Sequence, residues 1–127
     1  GLHFSISVRS SIASQKAMAV QKVRAIVGSE RGTVIRQGDY PGWQYNRQSA
    51  LREDVLAAYK TVSGRDGVIQ GTHGGLECGL FAEKIPGLDV VSAGPELRDI
   101  HSYQERLNVL SVRRVYEMTC ELLRRSR

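Results

Sequence analysis

Phe4, Ile6 and Val8 alternate with Ser5, Ser7 and Arg9, the period-two pattern of a strand with one buried face. From Ile12 the period lengthens. Ile12, Ala19, Val20, Val23, Ile26 and Val27 share one face of a helix, with serines at 10, 11 and 14 as candidate caps and Gly28 as the natural stop. Residues 32–36, GTVIR, read as a second short strand. Strand, helix and strand make a unit of about 35 residues, the size of one crossover in a sheet. Its edge calls for a further strand from a partner or from additional sequence.

The run GDYPGWQYN at 38–46 is rich in turn formers and predicts a linker. Beyond it, Ser49 caps a predicted helix to about Val62, with Leu51, Val55, Ala58, Tyr59 and Val62 on one face and Gly64 past its end. Residues 68–70 and 88–92 read as short apolar strands, with a helical pattern through Leu76, Leu80 and Phe81 between them. Ser111 caps a last helix whose stripe is Val112, Val115, Tyr116, Thr119, Leu122 and Leu123. Arg124, Arg125 and Arg127 stand at its favourable carboxyl end. Strands alternating with helices predict an α/β layer architecture over 47–127. Two strands do not complete such a sheet, and position 1 is Gly rather than Met. The expectation is a carboxyl-terminal portion of a longer chain.

Composition narrows the function class. The 127 residues carry 18 Lys and Arg against 13 Asp and Glu. The basic excess lies in 1–36 and 106–127, while 37–105 holds 6 basic and 10 acidic side chains. The aromatics are not interleaved with basic residues, so nucleic acid is not an expected partner. No run is long and apolar enough to span a bilayer, so no membrane partner is expected. Cys78 and Cys120 read as buried structural thiols, which fits a reducing, cytoplasmic setting.

Three places could carry chemistry. Gln70–Gly79, QGTHGGLECG, stands between a predicted strand and a predicted helix; its glycines permit close backbone approach and its helix start favours an anion. The plainer alternative is a tight turn in which Glu77 improves the first helical turn. His101 lies in the polar stretch GPELRDIHSYQE and suits either a metal ligand or a hydrogen-bonded surface residue. Arg9 can clasp a carboxylate with its guanidinium or remain a solvated strand-end charge.

SVRSS at 7–11, YPGW at 40–43 with Asn46, HGGLECGLF at 73–81, and GPELRDIHS with Glu105 at 94–105 occur in this order. Together they resemble the carboxyl-terminal part of aminoacyl-histidine dipeptidases, within the dinuclear zinc peptidases and aminoacylases related to carboxypeptidase G. The resemblance implies the end of an α+β lid domain at 1–36, a linker at 37–46 and the second half of an α/β catalytic domain at 47–127. It implies that His101 ligates one zinc, that Arg9 contacts the substrate carboxyl end, and that Gly74, Gly75 and Glu77 border the substrate pocket. Zinc is the implied cofactor and a small dipeptide the implied substrate. The family's amino-terminal histidine, bridging aspartate, glutamate pair and further acidic ligand have no counterpart in these residues. The isolated chain is therefore expected to be inactive, its missing partners being the amino-terminal catalytic and lid segments. Gly74 replaces a common Ala, Tyr103-Gln104 a common Pro-Asp, and Tyr45 a frequent Pro. The competing expectation is a noncatalytic interaction module that associates by its sheet edge, for example as a homodimer.

Overall fold

Helix formation follows the local signals closely. In the computed structural model, which describes residues 1–72 and 76–126, α1 spans Ala13–Ser29, α2 Ala50–Ser63, α3 Glu77–Lys84 and α4 Val109–Arg125. The Ser49 hydroxyl accepts the Arg52 N–H at 3.0 Å to start α2. Gly64, at φ 69°, ends it in the left-handed conformation that a residue without Cβ adopts freely. The α1 N-cap position is Ile12, without a side-chain cap; Ser10 Oγ instead accepts the Ile12 N–H at 3.1 Å. The carboxyl end of α1 passes Gly28 by one residue, and Arg31 takes the positive φ of 56°.

Helix α4 starts three residues before the sequence cue suggests. Asn108, not Ser111, is its N-cap, with Oδ1 accepting the Leu110 N–H at 3.1 Å. Ser111 is instead buried one turn inside. The buried face of α4 carries Ser111 and Met118, with Val115 and Leu122 half-buried beside them. Val112, Tyr116, Thr119 and Leu123 of the predicted stripe are exposed. In α3 the buried position is Gly79, while Leu80 and Phe81 are exposed.

The strands require correction. Residues 4–8, 32–36, 68–70 and 88–92 belong to no sheet. The sheet among the described residues is β1 (Leu97–Arg98) paired antiparallel with β2 (Arg106–Leu107), in the register Leu97 opposite Leu107 and Arg98 opposite Arg106. The physical reason is that alternation specifies a face, whereas a ladder needs a second backbone to satisfy its N–H and C=O groups. Phe4 and Ile6, marked for burial by their period, are 75% and 58% exposed. The observed architecture is an α/β arrangement of helices with one small antiparallel sheet.

The chain forms two compact units interleaved along the sequence. Gly1–Arg47 and Gln70–Leu88 form one, containing α1 and α3; Gln48–Ile69 and Asp89–Arg127 form the other, containing α2, α4 and the hairpin. In the second unit α2 packs on α4, and the two helices bury Ala58 and Met118, the buried apolar side chains of the described core. Arg125 Nη2 donates to Thr61 Oγ1 at 3.0 Å, tying the carboxyl ends of these helices. Asp89 accepts from the Ser49 hydroxyl at 2.6 Å and the Leu51 N–H at 3.0 Å, pinning the chain that leaves 88 onto the start of α2.

Little apolar surface is hidden by this packing. The accessible area is 10717 Å². Leu2, Phe4, Ile35 and Val68 are each at least 75% exposed.

Candidate functional site

The His101 segment is a hairpin bolted to the start of α4. Glu96 is the bolt. Its carbonyl accepts the Asn108 N–H at 3.0 Å, and its own N–H donates to Ser111 Oγ at 2.9 Å. Its carboxylate accepts from Asn108 Nδ2 at 3.0 Å and from Arg114 Nη2 at 2.6 Å. Asn108 thereby closes the hairpin and caps α4 with the same side chain. The tip between β1 and β2 is held to a helix rather than left as a free loop.

Residues 99–105 form that tip through local hydrogen bonds. Ser102 donates its N–H at 3.1 Å and its hydroxyl at 2.6 Å to the Asp99 carbonyl. The Gln104 N–H donates to Ser102 Oγ at 3.1 Å, and the Glu105 N–H donates to the Ser102 carbonyl at 3.2 Å. Asp99 and His101 have φ of 53° and 65°, values that side chains bearing Cβ adopt at a cost. Two contacts close the turn: Glu105 Oε2 accepts the His101 N–H at 2.9 Å, and Arg106 Nη2 pairs with Asp99 Oδ2 at 2.6 Å. Tyr103, Gln104, Glu105 and Arg106 line an open concavity of about 410 Å³. Tyr103 is 97% exposed beside it.

The imidazole of His101 is exposed at this tip and is chemically suited to donate one nitrogen to a metal. Its two acidic neighbours have other partners, Asp99 in Arg106 and Glu105 in the His101 backbone. Among the described residues no group of three or more His, Cys, Asp or Glu is arranged to hold a metal ion. The described residues thus offer the His101 imidazole without the three or four protein ligands that a zinc site takes.

The other candidate residues lie in the unit that contains α1 and α3. Arg9 is exposed, with Nε 3.5 Å from Ser7 Oγ. Glu77 is the exposed first residue of α3, where a carboxylate favours the helix dipole. Gly74 and Gly75 lie outside the described residues. What the structure does bring together is the backbone of three motifs. A Cβ on Gly42 would stand 2.6 Å from the Ser11 carbonyl oxygen, and one on Gly79 would stand 3.2 Å from that of Pro41. SVRSS, YPGW and LECG therefore meet at glycines that let main chains approach closely. Lys16 and Arg36 fasten the same linker through Asp39, and Lys16 also donates to the Tyr40 carbonyl. These cations, Lys16 foremost, hold the Asp39 carboxyl down to about 2.

The hairpin and the Glu105 contact were not evident from the pattern of the chain. The available signal was weak: Leu97 and Leu107 flanking a polar stretch, with Asp99 and Arg106 of opposite charge near its ends.

No protein-family model matches the chain. It is 33% identical over 117 residues to the cytosol non-specific dipeptidase of Escherichia coli (strain K12), a match covering 92% of this chain. The solved aminoacylhistidine dipeptidase of Vibrio alginolyticus superimposes with a TM-score of 0.75 at 29% identity over 91% of the chain. The chain spans about a quarter of the length of each of these relatives, 24% in both cases. Along nearly its whole length, the chain is homologous to a segment of dipeptidases of this kind.

Proposed function

We propose that the chain serves as one part of a metallodipeptidase that hydrolyses aminoacyl-histidine dipeptides. The similarity over nine-tenths of the chain, to a quarter of each dipeptidase, carries this reading. His101 is assigned as a ligand to one of the zinc ions, and its exposed imidazole on an anchored hairpin suits that role. When bound, zinc would polarise the scissile carbonyl and lower the pKa of the attacking water. Arg9 would hold the substrate carboxyl end, since guanidinium offers donors and no lone pair for a metal. Gly74, Gly75 and Glu77 would border the substrate pocket. Residues 1–36 are assigned to the lid and 47–127 to the catalytic domain, with 37–46 as the linker. The setting proposed is the cytosol, as the name of the Escherichia coli relative states for that protein.

On this reading the isolated chain does not hydrolyse an aminoacyl-histidine dipeptide faster than zinc alone. Turnover above that control, abolished by His101→Ala, would overturn the assignment of the chain as an incomplete part. The exposed apolar side chains Leu2, Phe4, Ile35 and Val68 favour a second reading, a noncatalytic module that pairs with a second copy. Sedimentation of the purified chain separates the two: a stable dimer without metal supports pairing, and a monomer or polydisperse aggregate contradicts it.

A further inference from the structure

The turn that carries His101 is more tightly specified than an exposed loop requires. A non-glycine residue at φ 65° stays there only when its surroundings hold it. One side chain meets the backbone of His101 itself. Glu105 Oε2 accepts the His101 N–H at 2.9 Å, a charge-assisted contact spanning the tip from its far side. The Asp99–Arg106 pair, at 2.6 Å, closes the same seven-residue turn one step further out, at the hydrogen-bonded ends of the hairpin. The Ser102 bonds to Asp99 shape the turn, yet leave the His101 N–H to Glu105.

We propose that Glu105 is the positioning residue of His101: its carboxylate holds the His101 N–H and keeps this residue left-handed, fixing how the imidazole leaves the tip. Glu105 acts through the backbone of His101 and is not itself a metal donor. The purpose of this clamp rests on the reading of His101 as a zinc ligand, because a ligand must be held in one geometry before the metal arrives. The clamp itself is a property of this chain and is measurable without metal.

Nuclear magnetic resonance of the full chain provides the test. A left-handed residue brings its own N–H and Hα close together, so wild-type His101 should show a strong intraresidue cross-peak between them. Its amide should also exchange slowly for a surface loop. In Glu105→Ala that cross-peak should weaken, and exchange of the His101 amide should quicken roughly fivefold for the loss of one such bond. Glu105→Gln, which keeps a carbonyl acceptor, should restore both signatures. In a His101→Gly background, where the left-handed conformation is free, Glu105→Ala should change the thermal midpoint less than in wild type. Unchanged His101 signatures in Glu105→Ala would overturn the proposal, as would failure of Glu105→Gln to restore them. Zinc content of a complete dipeptidase carrying this chain, with and without His101→Ala, reads the underlying assignment separately. Zinc lost with the imidazole while the clamp signatures ignore Glu105 contradicts the clamp alone. Full zinc in the His101 variant while the clamp signatures hold contradicts the ligand reading and the purpose given to the clamp.

Discussion

Replacing Ser111 by Ala should loosen the hairpin from α4. Ser111 is 3% exposed; its hydroxyl donates to the Asn108 carbonyl at 2.6 Å and accepts the Glu96 N–H at 2.9 Å. The Asn108 carbonyl also receives the Ser111 N–H at 3.0 Å, so losing the hydroxyl leaves it bonded and costs about 1 kcal/mol. The Glu96 N–H loses its side-chain acceptor in a partly buried setting, at about 1–3 kcal/mol. Ala is the better helix former by about 0.5 kcal/mol, which offsets part of the loss. The net destabilisation should be about 2 kcal/mol, or about 1 M in the urea midpoint followed by circular dichroism at 222 nm. Exchange of the Glu96 amide should quicken in parallel. Ser126→Ala removes a comparable hydroxyl bond to Leu122 at an exposed helix end and should stay within about 0.5 kcal/mol of wild type. A Ser111→Ala cost no larger than that of Ser126→Ala, with unchanged Glu96 exchange, would refute the bolt.

Gly42→Ala should destabilise the unit containing α1 and α3, because its Cβ would meet the Ser11 carbonyl at 2.6 Å, and backbone must shift to admit it; a lowered midpoint of Trp43 fluorescence in urea checks this. Asp39 contributes stability that is complete above its ordinary value of 3.8 and is lost as the pH falls towards about 2. Trp43 fluorescence should report that acid limb, and Asp39→Asn should remove it. Asp89, held below its ordinary value chiefly by the Ser49 hydroxyl and then the Leu51 N–H, adds a limb of the same sign in the other unit; Ser49→Ala should weaken it in helix circular dichroism. In a complete dipeptidase carrying this chain, Arg9→Ala should leave zinc content unchanged and lower kcat/KM, by about 2–5 kcal/mol if substrate desolvates the contact. Kinetics and metal analysis on the same preparation check both halves.

Helices were legible in the chain because their signals are local. Ser49 and Gly64 bracket α2 within residues that themselves form the bonds. Helix α4 shows the limit: Val112, Tyr116 and Leu123 are apolar and correctly spaced, yet the face that meets α2 is the one through Ser111 and Met118. Periodicity marks an apolar stripe without saying which neighbour covers it. Strand pairing is a property of two segments, so Phe4, Ile6 and Ile35 kept their pattern without a ladder. The motifs around His101 and Gly42 stood out as candidate chemistry or as family resemblance. The left-handed His101 backbone and its Glu105 contact did not, because they depend on a hairpin whose paired strands are two residues long.

The account turns on His101 as a zinc donor within a larger dipeptidase. The direct measurement is zinc content of the complete enzyme carrying His101→Ala, determined beside its turnover of an aminoacyl-histidine dipeptide. The account predicts that zinc and turnover fall together, since an imidazole is lost from the ligand set while the hairpin remains anchored through Glu96 and Ser111. Full zinc content in that variant would contradict it.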